Sequence, residues 1–293
     1  MNKLPRGLSF GALCGISLLL WFRPLLDTFA LATSDDRYTH ILLILPLAVA
    51  LIFQGWRERG SAPEFWPPAA ALLIVSLVLA GTTRWGHLGG SSDLGLPIEM
   101  VGLVVWWIAS FLLCFGLPGL RSFCFPLLFL FGMVPIPRLA LAPIEGGLQW
   151  GSALAAQLLF LVSRVSVARE GTTLLIPGLA IDVTVECSSI RSSLMLLVTT
   201  MVLAYLLLRT PWRRALVVVL ALPLSVAKNG LRIFTIGLLG TRVDPGFLTG
   251  RLHRQGGIVF FMIALALISL LLWILRRGER AIASPQQLSP GRT

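Results

Sequence analysis

The feature that most constrains this chain is a series of long apolar stretches that follow one another along almost its whole length. Eight of them stand out, at residues 8–26, 40–54, 67–83, 97–117, 120–136, 189–208, 212–240 and 256–275. About 20 apolar residues cross a bilayer as an α-helix, because the hydrocarbon core is about 30 Å thick. The sequence therefore predicts an all-α polytopic integral membrane protein with about eight transmembrane helices.

The composition excludes most soluble classes of protein. Of the 293 residues, 56% are hydrophobic and only 13% are charged, whereas a soluble domain carries about 25% charged residues. A soluble enzyme, a disordered regulator and a disulfide-stapled secreted domain are excluded. The net charge of +11 would suggest nucleic acid in a soluble chain, but in a membrane chain it reflects Lys and Arg kept in the cytoplasm. We therefore expect membrane lipid, and no nucleic acid, as a partner.

The positions of the basic residues predict the orientation. With the N-terminus inside, the inner loops hold basic clusters at 57–59, 209–214 and 276–280, whereas the outer loops mix both signs. A further apolar stretch, 139–166, contains Pro143, Glu145, Gly146, Gly147 and Gln149. We expect it to lie in the interface or to enter part-way, because a crossing would move two basic loops outside. Both termini are then cytoplasmic.

The segment 170–186 differs from the rest because it is rich in β-branched residues. Ile181, Val183 and Val185 alternate with polar residues after the turn signal Pro177-Gly178. This period of two is typical of a half-exposed strand. We predict a short hairpin at the outer face that leads into the helix after residue 187.

The chain is expected to form a single transmembrane domain over residues 1–280. No polar stretch reaches even 40 residues, so a separate soluble domain has no place. The tail 281–293 is rich in Ser, Pro and Gln and is expected to be disordered.

Cys187 is the one cysteine in a context that suits chemistry. Cys14, Cys114 and Cys124 lie within apolar stretches and are expected to be small buried hydrophobes. Cys187 instead lies between Glu186 and the expected start of a helix. A helix N-terminus favours the thiolate, which is both a nucleophile and a metal ligand.

Arg232 lies inside an apolar stretch, too deep to reach the interface easily. Lys228 precedes it by one turn, and Asn229 adds an amide to the same polar stripe. Ionisable residues at this depth are expensive and indicate a functional site. The structural alternative is an arginine that pairs with a carboxylate for packing.

The same predicted topology places His253 on the outer side of the membrane. A neutral histidine acts as a general acid or base near neutral pH, so Cys187, Arg232 and His253 together suit acyl transfer. His40 begins the second stretch on the same side, where a lone histidine is usually an interfacial anchor. A metal site needs three or four ligands, and no CxxC or HExxH spacing occurs. We expect neither metal nor cofactor.

Several motifs resemble the exosortase/archaeosortase family of transmembrane transpeptidases. They are ECSSIRSSLMLL with Cys187, AKNGLRIFTIGLLG with Asn229 and Arg232, and HRQGGIVFF with His253, in the family's order. The segments FPLLFLFGMVPIP, AREGTTLLIPG and YTHILLILP add to the likeness, which runs from about residue 35 to about residue 275. The family usually has Cys-Ser-Gly where this chain has Cys187-Ser188-Ser189.

The resemblance implies a function for these residues. The catalytic set is then Cys187, Arg232 and His253. The substrates would be exported proteins that end in a short motif such as Pro-Glu-Pro, a transmembrane helix and a basic tail. The enzyme would cleave near the motif and transfer the new carboxyl end to an acceptor, at the periplasmic face of the inner membrane. Such systems commonly accompany exopolysaccharide production.

Substrate recognition is expected close to His253. Arg251 and Arg254 would pair with an acidic side chain of the motif, or else they are solvated loop charges. Asn229 and His40 complete the expected substrate-binding residues. The alternative function is a non-enzymatic transporter, or an assembly partner for polysaccharide export, in which Lys228 and Arg232 line an anion path.

Overall fold

The computed structural model describes residues 6–56, 66–85, 93–183, 190–244, 246 and 257–283. The chain forms two compact units, Met1–Leu141 and Ala142–Thr293. The single domain predicted over 1–280 stays a prediction. Of the tail predicted to be disordered, residues 281–283 end the last helix, and the rest lies outside the described residues.

The first unit is built from helices. They are α1 (Arg6–Leu20), α2 (Phe22–Ser34), α3 (Ile41–Gly55), α4 (Trp66–Trp85), α5 (Gly95–Ser122) and α6 (Cys124–Phe129). Two 3₁₀ turns, Asp36–Tyr38 and Leu130–Met133, join them. Helix α5 is the centre of this unit, because α1, α2, α4 and α6 all pack against it.

The second unit combines long helices with a small sheet. Helix α7 (Arg138–Val162) leads into it, and the strands β1 (Ala168–Glu170), β2 (Thr173–Ile176) and β3 (Leu179–Asp182) follow. The last three helices are α8 (Ile190–Leu207), α9 (Pro211–Arg242) and α10 (Gly257–Ala283). Each of these three packs against the other two.

The helices confirm an all-α, multi-pass membrane protein, but they do not give the number of spans. Within the described residues, five helices are long and apolar enough to cross a membrane, or up to seven if each of two bent pairs is one span. The apolar part of α4, Pro67–Thr82, is shorter than these. The predicted count of eight therefore stays a prediction.

The first predicted stretch, 8–26, is not one straight helix. Helices α1 and α2 meet at the buried Trp21 with a bend of 74°. Pro24 lies in the first turn of α2 and has no N–H, so α1 cannot continue through it with regular hydrogen bonds.

The predicted stretches 97–117 and 120–136 are separated by a kink inside α5. Gly116 has φ 70° and ψ −178°, a conformation that only glycine adopts without strain. Pro118 follows it. The second stretch is then broken again at Phe123 and is not a single straight helix.

Helix α7 corresponds to the stretch expected to lie in the interface. Pro143 and its glycines do not interrupt it, and it runs through 25 residues. Within the second unit it packs very closely on α9: a Cβ added at Gly230 would overlap the side chain of Ala155, and one at Gly151 would lie 3.0 Å from Val226. Small residues allow such close approach of helices in membranes. The expectation that this segment lies in the interface or enters part-way stays a prediction.

The predicted hairpin is confirmed, and a third strand extends it. Strands β2 and β3 pair antiparallel about the turn at Pro177-Gly178, and β1 pairs with the other edge of β2. The sequence did not indicate β1, which has only three residues. The predicted alternation holds where it is described, since Val183 is buried and Asp182 is exposed.

Candidate active site

The polar stripe of α9 begins with side chains that are buried among helices. Ser225, Lys228, Asn229 and Arg232 recur every three or four residues and so share one side of the helix. Lys228 is 5% exposed and Asn229 is 1% exposed, whereas Arg232 is half-buried. The stripe thus leads from a buried ammonium group to a guanidinium that is partly accessible.

Two hydrogen bonds join this stripe to the start of α8. The hydroxyl of Ser225 donates to that of Ser193 over 2.6 Å. The ammonium group of Lys228 donates to the hydroxyl of Ser192. Helices α8 and α9 run antiparallel, because only residues 208–210 separate them. We call these four residues the hydroxyl ladder; it fixes the first turns of α8 against α9.

Arg232 lies at the start of α10. A Cβ built on Gly257, the first residue of that helix, would lie 3.9 Å from Nη1 of Arg232. Near the other end of α9, Nη1 of Arg213 donates to the carbonyl of Leu275 over 2.7 Å. The two contacts show that α9 and α10 are also antiparallel. Arg232 therefore lies level with the N-terminal end of α10.

The sheet anchors the chain just before α8. Leu174, Ile176 and Val183 form a buried cluster with Phe160 of α7 and Ile233 of α9. The amide of Gln149 also donates to the carbonyl of Val183 over 3.3 Å. On the far side of residues 184–189, Ile190 is buried. Val183 and Ile190, the described residues on either side of this segment, are therefore both buried.

The electrostatics of the stripe favour an anion. Lys228 and Arg232 are like charges four residues apart on one helix, an arrangement that is destabilising in itself. Among the described residues, no carboxylate forms an ion pair with Lys228. A negative charge that develops near Arg232, such as a thiolate or an oxyanion, would be stabilised there.

The structure describes three of the seven predicted site residues. Arg232 and Asn229 lie together on α9. His40 belongs to the first unit; it is buried, and its Nδ1 lies 3.2 Å from the carbonyl of Arg37. The other four, Cys187, Arg251, His253 and Arg254, lie outside the described residues.

The remaining cysteines differ from one another. Cys114 is buried and Cys14 is partly buried. Cys124 is exposed, so its prediction as a buried residue is wrong. It occupies the first position of the short helix α6, where the chain has just broken at Phe123. In the described ranges, no group of three or more His, Cys, Asp and Glu side chains could hold a metal ion.

The sequence analysis missed the serines of the hydroxyl ladder. Ser192 and Ser193 look like ordinary hydroxyl residues at the start of an apolar helix, and Ser225 like one in the middle of another. The available signal was the spacing, because Ser225 precedes Lys228 by three residues on the same face.

The fold and this stripe together define a class: a multi-pass helical membrane protein with charged and hydroxyl side chains gathered between its long helices. The family model described as transmembrane exosortase (Exosortase_EpsH) matches residues 32–270. The chain belongs to the transmembrane exosortase family. No curated protein matches the chain, and no solved structure does.

Proposed function

We propose that this protein is a membrane-embedded cysteine transpeptidase that cleaves C-terminal sorting signals of exported proteins. Membership in the transmembrane exosortase family supports a sorting transpeptidase in general terms. The observation that carries the particular site is the position of Arg232, whose guanidinium lies at the N-terminal end of α10. Four residues before that end stands His253.

The proposed reaction uses three side chains. The thiolate of Cys187 attacks the carbonyl carbon of the scissile peptide and forms a C–S bond. The C–N bond then breaks, and the leaving amine takes a proton from His253. The thioester is resolved when His253 removes a proton from the incoming nucleophile, which expels the Cys187 thiolate. Arg232 stabilises the thiolate or the oxyanion.

The register of α8 against α9 supports this set. The hydroxyl ladder pairs Ser193 with Ser225 and Ser192 with Lys228. If this antiparallel pairing continued by one turn, Arg232 would face positions 186–188, which include Cys187. Cys187 is three residues before Ile190, so the two Cα atoms are at most about 11 Å apart. His253 is four residues before Gly257, a distance of at most about 14 Å.

The proposed topology has eight spans, both termini in the cytoplasm and the site at the periplasmic face of the inner membrane. The basic residues Arg209, Arg213 and Arg214 lie at the opposite end of α9 from Arg232, as the positive-inside rule requires. Single cysteines in place of Asp182, Asp244 and Arg213 test this with a membrane-impermeant thiol reagent. We expect labelling from outside at the first two only. Protection of both aspartate positions would overturn the topology.

The proposed substrates are exported proteins with a short motif, a transmembrane helix and a basic tail. Arg251 or Arg254 would bind the acidic side chain of the motif and align the scissile bond over Cys187, with Asn229 contributing a polar contact. The role of His40 in substrate binding stays a prediction. The motif of the Pro-Glu-Pro type and the link to exopolysaccharide production come from the family resemblance.

The experiment is processing of a co-expressed tailed protein by Cys187→Ser. We expect almost complete loss of the processed product, because a serine hydroxyl is a far weaker nucleophile than the thiolate that it replaces. The matched control is Cys114→Ser, a buried cysteine in the first unit, which should process normally. Normal processing by Cys187→Ser would refute the thiol mechanism and leave a transporter or an assembly partner as the alternative.

A further inference from the structure

The second unit carries a dense group of arginines where α8 turns into α9 and α10 ends. Six arginines and one glutamate are the only charged residues of segments 205–214 and 272–283. We call the arginines the arginine end; they are Arg209, Arg213, Arg214, Arg276, Arg277 and Arg280. The positive-inside rule accounts for their presence but not for how they are arranged.

The one carboxylate of this region already has partners. The two carboxylate oxygens of Glu279 accept the backbone N–H groups of Arg209 and Thr210, each over 2.9 Å. Thr210 is the N-cap residue of α9, so Glu279 satisfies backbone donors at the start of that helix. Both carboxylate oxygens of Glu279 are thus used at the start of α9. The two segments together hold six positive charges and one negative charge.

Three of the arginines are held in fixed positions. Nη1 of Arg213 donates to the carbonyl of Leu275 over 2.7 Å, and Nε of Arg214 donates to the carbonyl of Leu208 over 2.8 Å. The guanidinium of Arg277 lies 3.6 Å from the ring centroid of Trp273. Arginine has five N–H donors in a rigid fork, so each of these groups keeps donors for a ligand.

Exposed aromatic and aliphatic side chains adjoin the arginines. Trp212 is 61% exposed and Trp273 is 49% exposed. Further along the same helices, Val219, Leu220, Leu270 and Ile274 are exposed as well. Tryptophan is enriched where a helix leaves the hydrocarbon for the headgroup layer. The arginine end therefore adjoins a surface that suits acyl chains.

We infer that the arginine end is a binding site for an anionic phospholipid, of the phosphatidylglycerol or cardiolipin type. The headgroup phosphate would accept donors from Arg214, Arg277 and their exposed neighbours, while the acyl chains would follow the aliphatic face of α9 and α10. A free phosphate would use the cations alone and would make no use of the exposed aliphatic side chains of α9 and α10. The inference is independent of the thiol chemistry.

The test uses the full chain purified in detergent and native mass spectrometry of its retained lipid. The protein is offered mixed micelles that contain equal amounts of phosphatidylglycerol and phosphatidylcholine. We expect selective retention of phosphatidylglycerol by the natural chain. Arg214→Gln with Arg277→Gln should lower this retention roughly tenfold or more, because each arginine near an anionic headgroup contributes severalfold.

Two further variants keep the test decisive. Arg276→Gln with Arg280→Gln changes two exposed side chains and should lower retention severalfold without changing thermal stability. Arg242→Gln, an exposed arginine at the opposite end of α9, is the matched control and should retain lipid normally. Equal retention by all variants would overturn the inference. Complete displacement of the lipid by millimolar glycerol phosphate would also overturn it, in favour of a free-phosphate site.

Discussion

The cations at the start of α9 and those in its second half differ in burial and in hydrogen-bond partners. Near its start, Arg213 and Arg214 donate to backbone carbonyls beside a group of exposed arginines. In its second half, Lys228 is buried and donates to a serine hydroxyl, with Arg232 one turn further on. A cation at the membrane boundary is explained by topology and lipid. A cation held between helices is expensive and requires a functional reason.

The contrast predicts that the two ends respond differently to the same change. Substitutions near the start of α9 should alter stability or lipid binding and leave turnover intact. Substitutions along the stripe should alter turnover and leave stability intact.

The largest effect is expected for Arg232→Lys. Lysine keeps the charge but lacks the planar fork of donors, and it loses its proton more readily when desolvated. Removal of one donor to an oxyanion costs about 3–4 kcal/mol, so processing should fall about a hundredfold or more. The matched change at the other end, Arg213→Lys, should process within about twofold of normal, since lysine also donates to a carbonyl. Similar processing rates for Arg232→Lys and Arg213→Lys would contradict the difference between the two ends of α9.

A smaller loss of turnover is expected for Lys228→Met. Methionine fills a similar volume but cannot bond to Ser192, so the first turns of α8 lose one of their two links to α9. A shift of about 1 Å at a catalytic group costs up to about a hundredfold, and we expect about tenfold here. The melting temperature should stay the same or rise, because a buried charge is removed. A lower melting temperature with unchanged turnover would show that Lys228 stabilises the fold and does not position the catalytic groups.

Replacement of Glu279 tests the opposite end through stability. Glu279→Gln replaces one of the two carboxylate oxygens that accept the N–H groups of Arg209 and Thr210 by an NH₂ group, which cannot accept a hydrogen bond. Loss of such a helix cap costs about 1 kcal/mol, so thermal unfolding in detergent should begin a few degrees lower. Processing measured well below that temperature should be normal. A strong loss of processing without loss of stability would connect this end to the active site.

The smallest effect is expected at the proposed recognition residues. Arg254→Glu should slow processing by up to about fivefold, because an exposed ion pair contributes only about 0–1 kcal/mol. An acidic-to-Lys change in the substrate motif should restore part of that loss. If Arg251→Ala and Arg254→Ala both process normally, recognition must come from the substrate helix and its basic tail.

The membrane class and the hairpin were predictable because local signals specify them. Long apolar stretches require helices in a bilayer, and the alternation around Ile181 with the turn at Pro177-Gly178 requires paired strands. The polar stripe with Asn229 and Arg232 on one helix was also predictable, since both lie within a single apolar run.

The breaks in the helices and the hydroxyl ladder were not predictable from local signals. The bend at Trp21 and the kink at Gly116 lie inside stretches that were each predicted as one continuous apolar helix. The pairing of Ser192 with Lys228 depends on the register of two helices, which no single segment encodes. The exposure of Cys124 likewise depends on where the chain breaks at Phe123.

The most direct test of the proposed mechanism is to trap its covalent intermediate. The natural chain is co-expressed with a tailed protein, quenched in acid and digested for mass spectrometry. The account predicts a fragment ending at the cleavage site that is joined to Cys187 as a thioester and is released by hydroxylamine. A fragment joined to another residue, such as Ser192 beside Lys228, would contradict this mechanism. The absence of any adduct, together with full activity of Cys187→Ser, would contradict it as well.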